Sequence, residues 1–329
     1  MSGLHVLTNV GGETRLANID LKTYEKGFEE ILSPELIYQE YGDRRSLKRN
    51  GGTSVEYTRL ERLIPASTPV PLTEGSAGSP RTSTTTIIPG TPEQYGEYIK
   101  LSDRLVKQGK AEYFKEQYTR LAQLGGETFD IVHMNGIIEG SNVVYAGSKA
   151  GTDELDNDCK ATLALFRKAK KYLDALHNKG FENGLYIAMC HTDTINELIA
   201  DPEWMEKTKF QDPSKFSKGE VGTVDGIKYV KSSQAYVKPG AGATTNIGNV
   251  ASTGSAANVY CSFLIGSRKA YGVIGLEGED TPKTIFKDLG SAGANDPMDQ
   301  IATLAYVGFT SSKIINDNMM YRVEHTCSL

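Results

Sequence analysis

Residues 53–63 read TSVEYTRLERL, residues 82–89 read TSTTTIIP, and IPASTPVPLTEGSAGSPR lies between them. In the first stretch Thr53, Val55 and Tyr57 alternate with Ser54, Glu56 and Thr58, the period of a strand with two distinct faces. The second is rich in β-branched residues and reads as the returning strand. The link is dense in Pro, Gly, Ser and Thr and makes a wide, irregular tip. Together they predict a long hairpin whose arms of about ten residues, at ~3.3 Å each, reach ~33 Å. Large apolar side chains are scarce in it, so it builds no core alone and must lie on something else. The tip sequence ASTPVPLTEG, residues 66–75, suits an extended segment laid across a partner's surface. A loop this long is usually functional or disordered.

Working outward, residues 1–22 are polar and without periodicity, and read as an extended arm. Residues 23–41 predict two short amphipathic helices. Phe28, Ile31 and Leu32 share a face of the first; Ser33 caps the second, Pro34 fits its first turn, and Leu36, Ile37 and Tyr41 follow. GDRRSLKRNGG, residues 42–52, reads as a basic turn carrying Arg44, Arg45, Lys48 and Arg49. Residues 98–138 are the strongest helical segment, capped by Ser102 or Asp103, with Phe114, Tyr118, Leu121, Gly125, Phe129 and Val132 in one stripe. If unbroken from 103 it is ~54 Å long, and Gly109 and the Gly125–Gly126 pair permit a bend or a close crossing. A further helix is expected over 153–178, burying Leu163, Phe166, Leu173 and Leu176, with Lys160, Arg167, Lys168, Lys170 and Lys171 outside. LYIAMC, residues 185–190, is a buried strand; a helix follows it, and Pro202 ends or restarts that helix. GEVGTVDGIKYVKSS, residues 219–233, is a hairpin turning at Asp225–Gly226. Residues 238–257 form a Gly/Ala/Ser/Thr loop, and 259–266, 269–276 and the tail read as strands. No internal repeat is found.

The chain has 329 residues, with 36 Lys and Arg against 41 Asp and Glu, and 39% hydrophobic residues. That composition excludes wholesale disorder and suits two modest domains or one elaborate one. The net charge of −5 argues against a dedicated nucleic-acid binder, although local basic patches survive the average. No apolar run is long enough for a membrane helix, and the N-terminus lacks a secretory pattern. Cys159, Cys190, Cys261 and Cys327 lie far apart and read as reduced thiols.

Chemistry-bearing motifs are weak. His191 and Asp193 follow a buried strand, but two ligands do not make a metal site, and His133 and His177 have no obvious partners. Asp153, Glu154, Asp156 and Asp158 lack the glycine and final glutamate of a calcium loop; acids at a helix N-terminus explain them better. The Gly-rich loop is not set between a strand and a helix start as a phosphate cradle requires. No Ser, Cys or Lys has a recognisable base beside it. The sequence therefore indicates no catalytic, cofactor-binding or metal residues. The basic cluster 44–49 and the basic helix face at 160–171 read either as phosphate contacts or as solvated and salt-bridged faces.

Five stretches taken in order carry a resemblance. They are LIYQEYGD (36–43), NGGTSVEYTRLERL (50–63), PLTEGSAGSP (71–80), EQYGEYIKLSDRL (93–105) and GEVGTVDGIKYVKSS (219–233). Together they resemble the tailed-bacteriophage major capsid proteins with the HK97-like fold, and most nearly the phage N4-type branch, over about residues 23–325. EQYGEYIKLSDRL is similar to that branch's lead-in to its long helix. His191-Thr192 departs from the branch's frequent His-Pro. The resemblance implies an α+β HK97-like fold with an N-terminal arm at 1–50 and an extended loop at 51–97, of which 53–90 lies on the adjacent subunit. It implies a peripheral domain at 98–148 and 283–329, with its spine helix at 100–138, and an axial domain at 149–282.

The implied function is a major capsid protein, not an enzyme and without a cofactor. It self-assembles as hexamers and pentamers into the icosahedral head around double-stranded DNA. The implied partners are other copies of itself, through the arm and residues 53–90, with decoration, scaffolding and portal proteins besides. Packaged DNA is touched weakly and non-specifically, and no membrane is involved. The place is the virion, with assembly in the host cytoplasm. Weakly acidic charge suits such a container, because a strongly basic lining would hold the genome back. Lys100 and Lys107 are present, but nothing pairs either with a specific Asn for cross-linking. An encapsulin-like compartment, a decoration or other virion protein, and an enzyme are the alternatives.

Overall fold

The computed structural model describes residues 36–63, 74–75, 81–108, 111–181, 184–208, 220–243, 257–279, 281–291 and 296–327. The expected arm at 1–22, the helix before residue 36, most of the hairpin tip, Gly109 and residues 244–256 of the Gly-rich loop lie outside them. So do the side chains of Lys107 and Phe114.

In chain order the elements begin with α1 (Ile37–Tyr41), β1 (Asp43–Leu47), β2 (Val55–Leu60), β3 (Thr85–Gly90), β4 (Glu93–Ser102), α2 (Asp103–Gln108) and α3 (Ala111–Ile138). Next come β5 (Val143–Tyr145), α4 (Leu163–Ala175), β6 (Tyr186–His191), α5 (Thr192–Ala200), α6 (Pro202–Thr208), β7 (Glu220–Val224), β8 (Ile227–Ser232) and β9 (Val237–Lys238). The chain continues through β10 (Val259–Ile265), β11 (Tyr271–Leu276), β12 (Lys283–Lys287), β13 (Ile301–Ile314) and β14 (Met320–His325). They divide into two compact units. Among the described residues, the larger is drawn from 36–95, 127–280 and 309–329 and the smaller from 96–126 and 281–308.

The larger unit is built on a seven-stranded sheet in the order β5-β14-β10-β6-β8-β7, with β9 beside β10. Strand β10 is buried at every position, which explains why VYCSFLI shows no alternation: a central strand covered on both faces has no solvent side, and its Ser262 hydroxyl meets a buried partner, His325. Strand β6 divides its side chains between the faces by simple alternation. Tyr186, Ala188 and Cys190 meet Leu163, Phe166 and Leu173 of α4, Ile195 and Leu198 of α5, and Trp204. Ile187 and Met189 turn the other way, towards Tyr38 and Tyr41 of α1 and Met134 and Ile137 of α3. The Asp225–Gly226 turn has positive φ at both residues, 55° and 75°, as a two-residue hairpin turn requires. In the same unit β1 pairs in parallel with β11, and β11 pairs antiparallel with residues 310–314. Helix α3 crosses β13 closely at Gly136, where an added Cβ would lie 1.9 Å from Ser312 Oγ and 2.7 Å from its carbonyl oxygen.

In the smaller unit β12 pairs antiparallel with residues 303–307 of β13. Leu304 and Tyr306 are buried on one side of these strands. Tyr118 OH lies 3.2 Å from Thr284 Oγ1. An added Cβ at Gly125 would meet the Tyr306 ring at 3.4 Å, so this glycine serves a close approach, one of the two roles expected of it.

Four expectations need correction. Residues 43–47 are a strand, not a basic turn: they pair with β11, and the Arg44 and Arg45 side chains, on opposite faces of it, both stay exposed. Residues 98–102 belong to β4, so helix begins only at Asp103; Tyr98, Ile99 and Leu101 fit either period, and sheet pairing decides. Helix α4 starts at Leu163, capped by Thr162, whose Oγ1 accepts from Leu165 N at 3.3 Å. The acids at 153–158 therefore precede the helix instead of forming its first turn, and Leu176 is exposed beyond its end. Strands β5 and β12 have no counterpart in the sequence reading.

Candidate assembly interface

The β2–β3 hairpin is a ribbon with two unlike faces. The strands pair antiparallel from Val55↔Gly90 to Leu60↔Thr85. Val55, Tyr57 and Arg59, with Thr86, Ile88 and Gly90, form one face and are buried or half-buried. Glu56, Thr58 and Leu60, with Thr85, Ile87 and Pro89, form the other, and all six are exposed. The alternation in the sequence is thus realised, with one side anchored and the other open.

Tyr57 is the anchor. It is 1% exposed, and its hydroxyl donates towards the carbonyls of Asp43 at 3.1 Å and Val273 at 3.3 Å. The ring fits because residue 272 is glycine: a Cβ there would lie 2.4 Å from Tyr57 Cζ. The Arg45 guanidinium covers the ring at 4.5 Å, a cation–π contact worth about 0.5–1 kcal/mol at an exposed site. Burial, then the charge of Asp43, raises the Tyr57 phenol well above its usual range, with Arg45 opposing. The hydroxyl therefore stays protonated as a donor. Val55 and Ile88 pack on a small cluster of Tyr57, Ile274 and Ile315, and Arg59 reaches the Ile315 carbonyl at 3.4 Å. On the outer face Leu60 is 69% exposed and Ile87 57%, and Leu63 just beyond is exposed as well. The strand pair thus shows Leu60 and Ile87 to water on its outer side.

Of the basic cluster at 44–49, Arg45 holds this root, and Arg44 and Arg49 have partners elsewhere in the larger unit. Arg44 Nε donates to the Gln39 carbonyl at 2.8 Å, Arg45 to the Glu56 carbonyl at 3.2 Å, and Arg49 pairs with Glu279 at 2.7 Å. His191 caps α5: its Nδ1 accepts from Asp193 N at 3.2 Å, while Asp193 accepts from Tyr260 OH at 3.0 Å. These are helix-start contacts, and among the described residues no group of three or more His, Cys, Asp or Glu is placed to hold a metal. His133 is buried in α3 with Nε2 2.7 Å from Thr310 Oγ1, and burial, then Arg44, lowers it to about 3. His177 ends the turn after α4 with φ of 59°. Asp156 pairs with Lys149 at 3.3 Å and accepts from Cys159 Sγ at 3.1 Å. All four cysteines are buried and free, and burial pushes Cys190, Cys261 and Cys327 up to about 12, so they are unreactive thiols.

Glu324 and His325 are buried polar groups that the sequence reading did not single out. Glu324, fully buried, accepts from Lys238 Nζ at 2.6 Å, Arg322 Nε at 2.8 Å and Thr152 Oγ1 at 2.6 Å. His325 lies with Nε2 3.1 Å from Ser262 Oγ and 3.4 Å from Thr194 Oγ1, its ring stacked 6.2 Å from that of Tyr260. The Ser262–His325 contact has the form of a nucleophile and base, but both residues are fully buried, so no substrate reaches them. Arg322 stands two positions from Glu324 on the same strand, but the other side-chain partners are 63 to 172 positions away, and no local motif signals them.

No protein-family model and no curated protein matches this sequence. Solved structures do. The capsid of Ralstonia phage GP4 matches at a TM-score of 0.66 and 13% identity, over 88% of each chain. The capsid of cyanophage Pam1 matches at 0.58 and 11% identity, over 97% of this chain and 96% of that one. A virus-like particle from Pyrococcus furiosus matches at 0.51 and 8% identity, over 92% of this chain and 99% of that one. The chain therefore has the mixed α+β HK97-like fold, and that expectation stands.

Proposed function

We propose that the chain is the major capsid protein of a tailed phage, of the N4-type branch. Hexamers and pentamers of it close into an icosahedral head around double-stranded DNA. The observation that carries this reading is the pairing of a capsid fold, matched over 88% of both chains, with a hairpin anchored at its root by Tyr57 and open on its outer apolar face. Residues 53–90 and the part of the 1–50 arm before residue 36 are what reaches neighbouring subunits, since 36–47 pack within the larger unit. Residues 98–148 and 283–329 act as the peripheral domain, and 149–282 as the axial domain. Decoration, scaffolding and portal proteins join the head, which forms in the host cytoplasm.

The mechanism is physical, not catalytic. Each exposed apolar side chain on the hairpin gains about 1.5–3 kcal/mol if a neighbour buries it fully. One such contact is weak, but a subunit that touches several neighbours at once is held multivalently. Binding that requires the folded subunit also stabilises it by mass action.

The likeness to the Pyrococcus furiosus particle favours a second reading, an encapsulin-like compartment that encloses protein instead of a genome. Light scattering and nuclease treatment of particles purified from cells making the chain with its neighbouring genes separate the two. Large particles with nuclease-protected DNA support the capsid reading. Particles filled with a second protein and no DNA support the compartment. A monomer under all conditions overturns both.

A further inference from the structure

The sequence contains three Asn-Gly pairs, Asn50-Gly51, Asn135-Gly136 and Asn183-Gly184. Asparagine is a thermolabile residue, and a glycine after it removes the side chain that would keep the next backbone nitrogen away from the asparagine amide carbon. Whether the two atoms meet depends on how freely the backbone moves. Asn183 lies outside the described residues. The other two asparagines are both exposed, so access does not tell them apart, but their backbones do.

Asn50-Gly51 lies in the turn between β1 and β2, where residues 48–54 are all exposed. Asn50 is in the left-handed region with φ of 59°, which Asn tolerates better than most residues. Gly51 N donates to the Lys48 carbonyl at 2.9 Å, and at an exposed turn water replaces such a bond at small net cost. Gly52 has φ of 117°, and a Cβ added to it would meet nothing within 4 Å, so the chain has room to swing. Among the described residues no hydrogen bond holds the Asn50 side chain. Asn135-Gly136 stands inside helix α3, whose backbone bonds fix both residues. Gly136 is pressed against Ser312, and Ser312 Oγ donates to the His133 carbonyl at 2.9 Å. The helix must open locally before this nitrogen can move.

We propose that Asn50 is a site of spontaneous deamidation in the folded chain and that Asn135 is spared. The Gly51 nitrogen loses its proton to solvent base and attacks Asn50 Cγ. A bond from that nitrogen to Cγ forms, the bond from Cγ to the side-chain nitrogen breaks, and ammonia leaves with a proton from solvent. The five-membered succinimide then takes up one water. Cleavage of the new bond gives aspartate; cleavage of the original peptide bond gives isoaspartate, whose main chain runs through Cβ and Cγ and is longer by one methylene. Nothing is oxidised or reduced. Either product sets a carboxylate beside Arg49, which already pairs with Glu279, and the second lengthens the link that leads from β1 into the ribbon. The modification is a property of this turn and does not depend on the capsid reading.

The test is incubation of the full-length chain at mildly alkaline pH in heavy-oxygen water, with peptide mapping by mass spectrometry over time. The label marks only molecules hydrolysed during the incubation, and fragmentation by electron transfer distinguishes isoaspartate from aspartate. A synthetic peptide of residues 45–56 gives the rate of the same pair without a fold. The expected result is labelled aspartate and isoaspartate at position 50, formed within about tenfold of the peptide's rate and at least about tenfold faster than any product at Asn135, whose helix has to open first. Asn50→Gln removes the labelled product at this position, because glutamine cannot close the five-membered ring. Asn50 unchanged while the peptide reacts, equal rates at Asn50 and Asn135, or label at position 50 that persists in the glutamine variant would overturn the proposal.

Discussion

Replacing Tyr57 detaches the hairpin from its root without touching the sheet that builds the larger unit. The ring is 1% exposed and seated on Gly272, and truncating a buried aromatic to alanine costs about 3–5 kcal/mol. Tyr57→Phe keeps the ring and loses only the single O–H donor shared between the Asp43 and Val273 carbonyls, worth about 0.5–1.5 kcal/mol. The root contacts are local, so the loss appears first as local opening and not as global unfolding. Hydrogen exchange of the amides in 55–60 and 85–90 is the assay. In the alanine variant protection there falls by roughly 10² to 10⁴-fold, while amides of β6 and β10 keep theirs. The phenylalanine variant loses about tenfold. Equal effects of the two variants, or a loss spread evenly over the sheet, would refute the assignment of Tyr57 as the anchor of a separate ribbon.

Other outcomes follow from the same geometry. Ile87→Lys, on the open face at 57% exposure, changes subunit stability by less than about 0.5 kcal/mol but prevents particle formation, as denaturation and light scattering of one preparation will show. Gly136→Ala forces Cβ against Ser312 Oγ and its carbonyl and destabilises by about 1–3 kcal/mol; adding Ser312→Ala recovers only part of this in thermal unfolding, since the carbonyl remains. His133 and His325 are held down to about 3 and about 4, chiefly by burial. The unfolded chain therefore takes up protons near pH 6.5 that the folded chain refuses, and stability falls as pH drops from about 6.5 towards 4, by about 1.4 kcal/mol per pH unit for each histidine. Urea titrations across that range should show the slope, and His325→Asn should remove one proton's share. For Glu324 burial alone would raise the carboxyl, but Lys238, Thr152 and Arg322 outweigh it and the net direction is down. Its contribution is whole above the usual glutamate value near 4.3 and is lost as pH falls further. Glu324→Gln, which leaves two cations facing a neutral amide, costs about 3–5 kcal/mol at pH 7 in the same titration.

The sequence was legible where one local period dominated. TSVEYTRLERL showed its two faces because Tyr57 and Val55 alternate with Glu56 and Thr58, and VYCSFLI showed a central strand because it carries no charge and no alternation. It was illegible where a distant partner decided. DRRSL became a strand only by lying against residues 272–276, and EQYGEYIKLS suits a helix lead-in as well as the strand it forms. The interface was readable as an extended ribbon needing support, but its anchor was not. Gly272 carries no signal until Tyr57, some two hundred positions earlier, is seen resting on it. The same holds for Glu324 and His325, whose partners, Arg322 apart, come from separate elements. Basic side chains were read as one class; only coordinates separate Arg49 and Arg167, which are paired, from Lys168 and Lys171, which are not.

The central claim is that copies of this chain close into a shell by laying the 53–90 ribbon on a neighbour. Cryo-electron microscopy of particles formed by the purified full-length chain tests it most directly. The account predicts closed icosahedral shells in which the outer face of 55–60 and 85–90, with Leu60 and Ile87, is covered by an adjacent subunit. Particles in which that face remains open to solvent, or a sample that stays monomeric, would contradict it.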